Sequence, residues 1–162
     1  MEVGLMADTH DHLSATERAI DIFNDREVDH VLHAGDLVSP FVASKFGKLG
    51  AELHYVWGNN EGDRAHISSN FAEIGVRSLG EFGSIELGGR RIALLHGICE
   101  EVVEALAKSG IYDAVVRGHT HRAGIQEDPL VINPGEVCGY LSGRQSIAIL
   151  DTEEMRTEIL EI

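Results

Sequence analysis

Lysine, cysteine and long apolar runs are all scarce in these 162 residues, and each shortage narrows what the chain can be. Cys99 and Cys138 are the two cysteines, and they lack the paired spacing of a zinc module or a disulfide framework. They read as free thiols of a reducing compartment. Apolar runs last only a few residues, far short of the roughly 20 that a membrane helix needs. The opening "MEVGLMADTHDH" has neither a basic region nor a cleavage site, which predicts no secretory leader and a cytoplasmic location. Bases number 13 against 27 acids, a formal charge of -14. That balance disfavours an extended nucleic-acid surface or an anionic membrane as partner, since both demand a basic face. It leaves room for a small anionic substrate, because bound cations reverse the local sign. Three of the bases are lysines, Lys45, Lys48 and Lys108. A lysine-poor acidic surface suits high salt, where like-charge repulsion is screened; compositional drift gives the same numbers.

What is present fits one domain, residues 1–162, around a single core. In the first half, strand-like runs alternate with helical patterns. "EVGLMA" is followed by a helix over about 15–26, announced by Ser14 and Glu17 in capping-box spacing. "HVLHAG" leads to "SPFVASKF", with Ser39 as N-cap and Pro40 in the first turn. "AELHYVWG" precedes a helix over about 64–74. Such repeats imply parallel strands with right-handed crossovers. The second half opens with a hairpin, "FGSIEL" and "RRIALL" about Gly88-Gly89, then a helix in "CEEVVEALAKSG", then five short strand-like runs. The pattern predicts an α/β fold: a two-sheet β-sandwich flanked by helices. Its strand edges offer surfaces through which copies of the chain could pair as a homo-oligomer.

Five of the apolar runs end alike. "VGLMA" ends in Asp8-Thr9-His10, "HVLHA" in Gly35-Asp36, and "LHYVW" in Gly58-Asn59. "RRIALL" ends in His96-Gly97 and "DAVVR" in Gly118-His119-Thr120-His121. Ligands of open α/β sheets collect at the carboxyl ends of strands. Residues two apart on an extended segment point the same way, so Asp8 converges with His10 and His119 with His121. Two aspartates, an asparagine and four histidines exceed what one metal needs and suit two, above all if one carboxylate bridges. His30, His54 and His66 read as packed or solvated residues. His33 reads as structural, and His12 follows the first loop closely enough to reach a substrate.

With these residues the chain resembles the calcineurin-like metallophosphoesterases, whose motifs are D-x-H, G-D, G-N, H and G-H-x-H. Here they run in order as "DTH", "GD", "GN", "HG" and "GHTH", and "INPG" at 132–135 matches a small prokaryotic phosphodiesterase branch. The resemblance implies the metallophosphoesterase fold and a hydrolase acting on a small phosphodiester. It places one divalent ion on Asp8, His10, Asp36 and His121, and a second on Asp36, Asn59, His96 and His119. Manganese is the first expectation for the metal, with iron, nickel, zinc or cobalt as alternatives. Two such ions about 3.5–4 Å apart turn a bridging water into hydroxide near neutral pH and neutralise charge on the phosphoryl group. The alternative is a non-catalytic protein-binding scaffold on the same fold.

Three positions depart from the family pattern. Asn60 stands where many relatives have a histidine thought to assist the leaving group. Ile98 stands where this branch often has histidine, and Glu136 replaces serine after "NPG". Asn60 is therefore grouped with Asp36 as a catalytic candidate, able to donate a hydrogen bond but not a proton. Glu61, Glu136 and His12 are the reserve proton donors, and Arg64 and Arg122 the candidate phosphate contacts.

Overall fold

The computed structural model describes residues 1–162. The first half runs β1 (Glu2–Met6), α1 (Leu13–Asp25), β2 (His30–His33), a 3-10 turn (Pro40–Val42) into α2 (Ala43–Phe46), β3 (Glu52–Tyr55) and α3 (Arg64–Glu73). The second runs β4 (Phe82–Leu87), β5 (Arg90–Leu95), α4 (Glu100–Lys108), β6 (Ala114–Val116), β7 (Gly124–Glu127), β8 (Leu130–Asn133), β9 (Ser146–Asp151) and β10 (Arg156–Glu161). Ser39 caps the 3-10 turn as its sequence implies, accepting from the Phe41 N–H. Helix α1 differs from expectation. Its N-cap is His12, whose Nδ1 accepts from the Ala15 N–H, and Glu17 reaches away to Lys45 and Lys48 instead of closing a capping box.

Ten strands form two mixed five-stranded sheets, ordered β10-β9-β1-β2-β3 and β4-β5-β6-β8-β7. Each sheet holds three parallel neighbours, β1, β2 and β3 in one and β5, β6 and β8 in the other. The division does not follow the halves of the sequence: β9 and β10, from the carboxyl end, pair antiparallel beside β1 and complete the first sheet.

Period-two alternation sorts the side chains into layers. Along β1, Val3 and Leu5 face the second sheet, where they meet Ile92, Leu94, Val116 and Ile132. Met6 faces the other way, into a layer with Ile20, Phe23, Phe46, Ile67 and Phe71 from α1, α2 and α3. On the far side, Ala93, Leu95 and Val115 pack under Val103 and Ala107 of α4. Each fully buried large aliphatic or aromatic side chain contributes about 1.5–3 kcal/mol. Three layers of this kind hold the strands rigid, so that their carboxyl ends present polar loops at one end of the sandwich.

Candidate metal centre

Five of the seven expected ligands occupy left-handed backbone: Asp8 at φ +52°, His10 at +40°, Asp36 at +61°, His119 at +69° and His121 at +59°. Asp and His tolerate this region better than most residues, yet each such residue stores strain on the order of 1–3 kcal/mol. Cross-links between the loops hold it in place. Asp8 N–H donates to the Gly35 carbonyl (3.0 Å), His10 N–H to the Asp36 carbonyl (3.1 Å) and Gly118 N–H to the His96 carbonyl (3.1 Å). The G-D and G-N loops approach so closely that a Cβ on Gly58 would lie 2.0 Å from Asp36 Oδ1. Only glycine fits there.

The side chains then converge. Asp36 Oδ2 lies 3.3 Å from His10 Nε2 and 3.4 Å from His96 Nε2. Asp8 Oδ1 lies 3.8 Å from His10 Nε2 and 3.6 Å from His121 Nε2. Asp8, His10, Asp36 and His121 form one cluster of mutually close ligand atoms. On the other side of Asp36 the His96 and His119 rings meet edge to face at 5.1 Å, and Asn59 lines the same cleft. Asp8 Oδ1, His10 Nε2 and His96 Nε2 are buried without any hydrogen-bond partner. Burial of unsatisfied acceptors is costly, and divalent cations on the two sides of Asp36 would satisfy all three. Without a cation the carboxylates compensate by attracting protons. Burial alone would lower the pKa of His10 and of His96, but Asp36 and Asp8 outweigh it and raise both. Those protons must leave when a metal enters.

Outer contacts fix which nitrogen of each ring faces inward. His96 Nδ1 donates to the Ala34 carbonyl at 2.8 Å, and His121 Nδ1 donates to Glu136 Oε2 at 2.7 Å. Both leave Nε2 as a free lone pair, the arrangement that orients metal-binding imidazoles. His10 Nδ1 lies 3.3 Å from the Asn60 side-chain amide. The Asn60 N–H also donates to Asp36 Oδ1 at 2.8 Å. Asn60 is thus joined to both Asp36 and His10, and it lines the cleft as well.

The reserve proton donors are otherwise engaged. Glu61 accepts from three backbone N–H groups, those of Asp36 (2.9 Å), Gly58 (2.9 Å) and Val38 (2.8 Å), and so pins the G-D loop to the G-N loop. Glu136 is fully buried, where desolvation favours its neutral form. Hydrogen bonds from His121, the Ser142 N–H and Cys138 outweigh that and hold it at about 2, so it stays ionised. Burial followed by the Glu136 contact pushes the Cys138 thiol up to about 12, leaving it inert. His12 caps α1 and packs on Tyr140. Arg64, by sequence a solvated arginine or a phosphate contact, pairs with Glu81, donates to the Gly58 carbonyl and lies over the Trp57 ring. Arg122 is exposed beside a separate hollow, and Ile98 is exposed near His96.

Two supports escape sequence reasoning. Arg117 is buried, pairs with Glu100 and donates to the Gly97 and Gly118 carbonyls, tying together the fourth and fifth motifs. Asn133 of "INPG" donates to the Gly118 carbonyl and Thr120 Oγ1. A lone arginine in "VVRG" carries no signal that separates it from a surface residue. The cleft above the ligands measures about 400 Å³ and is lined by His10, Asp36, Asn59, Asn60, His119, His121, Tyr140 and Leu141.

Residues 1–155 match the calcineurin-like phosphoesterase superfamily domain. The chain belongs to that superfamily. It is 45% identical to a phosphodiesterase of Methanocaldococcus jannaschii, over 99% of this chain and 100% of the relative. Among solved structures, an archaeal phosphodiesterase superposes with a TM-score of 0.94 at 42% identity, each chain covered fully. A Vps29 from Entamoeba histolytica, solved with zinc, shares the fold at a TM-score of 0.73 and 19% identity over 99% of each chain. Family membership and the clustered ligands make this superfamily member a metal-dependent phosphoesterase, a hydrolase. No helix is long and apolar enough to cross a membrane.

Proposed function

We propose that the chain is a phosphodiesterase that works with two divalent ions, manganese foremost, held on either side of Asp36. Asp8, His10, Asp36 and His121 would hold one ion, and Asp36, Asn59, His96 and His119 the other. One observation carries this reading: a single oxygen, Asp36 Oδ2, lies at nearly equal distances from His10 and His96, ligands assigned to different ions. When bound, such ions supply Lewis acidity toward phosphoryl oxygens and activate water for attack on phosphorus.

The protein's own groups then orient the substrate and exclude alternatives. No lysine or arginine lines the cleft, and the chain carries a charge of -14. A monoester dianion therefore gains less here than a diester monoanion. Tyr140 and Leu141, 63% and 76% exposed, give the mouth an apolar rim against which an aryl or other flat leaving group can rest. Asn60 is a positioning residue that steadies His10 and Asp36. Glu136 stays ionised and Glu61 is occupied by backbone N–H groups, so a stabilised leaving group departs more readily than an alkoxide.

The test is kcat/KM for an aryl diester, an aryl monoester and an alkyl diester at saturating manganese, each repeated with a chelator. The expected order is aryl diester first, with all turnover lost to the chelator. An aryl monoester ranking first would overturn the diester assignment, and no turnover at all would favour the scaffold reading.

A further inference from the structure

A second group of ligands lies away from the catalytic loops, on β2 and β3. His30 and Glu52 are directly paired across the parallel ladder, and His54 follows two residues on, beside Leu32. Period two puts all three side chains on one face. His30 Nδ1 and His54 Nε2 stand 3.3 Å apart. Glu52 Oε2 is 3.7 Å from His30 Nδ1, and Glu52 Oε1 is 3.7 Å from His54 Nε2. Two nitrogens bound to one tetrahedral zinc at about 2.0–2.1 Å are themselves about 3.3–3.4 Å apart.

The carboxylate is the informative member. A hydrogen-bonded pair of imidazoles would account for the 3.3 Å contact alone. It does not account for a carboxylate that faces both rings at the same distance and is too far from either for a hydrogen bond. The three groups surround a common point instead of bonding pairwise. The histidines are 19% and 18% exposed and Glu52 is 67% exposed, so the point is sheltered by strands yet reachable from solvent.

We propose that His30, Glu52 and His54 form a mononuclear site for zinc or a similar imidazole-seeking divalent ion, separate from the catalytic centre, with water completing the coordination. Two imidazoles and one carboxylate suit zinc, copper or nickel. The site joins β2 to β3, which is the edge strand of the first sheet. Its role is to brace that edge, because all three ligands sit on strands and none on a mobile loop.

The test uses zinc alone as probe on the full chain. Metal-free wild type, Asp36→Asn, and Asp36→Asn combined with His54→Ala are dialysed against micromolar zinc and analysed for bound metal. The Asp36→Asn background removes the catalytic centre, so its failure and the failure of this site are read separately. The expected result is one zinc per chain more in Asp36→Asn than in the combined variant, and a melting temperature that rises with zinc only where His54 is present. Glu52→Gln, at an exposed position that does not threaten folding, should weaken that zinc by at least the ~10–100-fold that loss of an outer-shell partner already costs. Alone, His54→Ala should leave manganese-dependent hydrolysis unchanged. Equal zinc content with and without His54, or zinc affinity indifferent to Glu52→Gln, would overturn the proposal.

Discussion

The two sides of Asp36 are built differently. On one side Asp8 is fully buried and His121 nearly so, and the outer nitrogen of His121 is locked to the ionised Glu136. On the other, His96 is equally buried, but His119 is half-buried and Asn59 is exposed at the mouth of the cleft. The first side is the more closed, although His10 is half-buried and lines the cleft with His121, and the second is the more open. The contrast teaches that, under the two-ion proposal, one ion would be held by the more preorganised, dehydrated donors while the other would meet solvent and substrate, as a reacting centre requires.

The largest expected effect comes from the residue the two sides share. Asp36→Asn should empty both and reduce kcat/KM by more than roughly 10³-fold, since losing one preorganised electrostatic donor already costs about 10²–10³-fold. Metal analysis beside the kinetics checks this; retention of both ions would dissolve the comparison. His121→Ala and His119→Ala come next and should part company. The first should release the tightly held ion, and the second should raise only the manganese concentration needed for half-maximal rate. Glu136→Gln refines the point, lowering affinity on the closed side by about 10–100-fold through the His121 ring. Equal responses of the two sides would show that burial does not distinguish them.

Asn60→Ala should have a smaller effect, about tenfold or less on kcat, because a neutral positioning amide supplies less than the ~10²–10⁴-fold of a general acid. A shift in manganese dependence accompanying that loss would separate positioning of His10 from contact with the leaving group. The last effect falls on stability and not on rate, and lies behind Asp36, in a support common to both sides. His33 is fully buried, accepts from the Gly35 N–H and bonds Thr9, and burial, reinforced by the nearby His96, lowers its pKa to about 3. The unfolded chain takes up this proton below about pH 6.5 and the folded chain does not. Stability of the metal-free protein should therefore be intact above that pH and fall as pH drops toward 3, by up to about 1.4 kcal/mol per unit from this group. Urea unfolding at several pH values, compared with His33→Gln, checks it; an identical slope in the variant would remove His33 from the account.

Much of the closed and open cages was legible because ligand chemistry and strand endings coincide. Asp8, His10, Asp36, Asn59, His96, His119 and His121 each follow an apolar run, and glycines flank them where the loops nearly touch. The supports were not legible for the opposite reason. Glu61, Arg117 and Arg64 are charged residues whose sequence neighbours resemble any solvated surface, and only long-range packing turns them onto backbone groups. Strand runs were readable from alternation, as the β4–β5 hairpin shows. The pairing of β9 and β10 with β1 joins the two ends of the chain, which local pattern does not encode. The cap of α1 was misread because a histidine nitrogen takes the place that Ser14 suits by propensity.

The central claim is that Asp36 bridges two ions, and anomalous diffraction from manganese-soaked crystals tests it most directly. The account predicts two peaks about 3.5–4 Å apart, as in two-metal sites generally, one on each side of Asp36 Oδ2, with the peak beside Asn59 the weaker at limiting manganese. A single peak held by Asp8, His10 and His121, with Asp36 bound to it alone and hydrolysis at full rate, would contradict it.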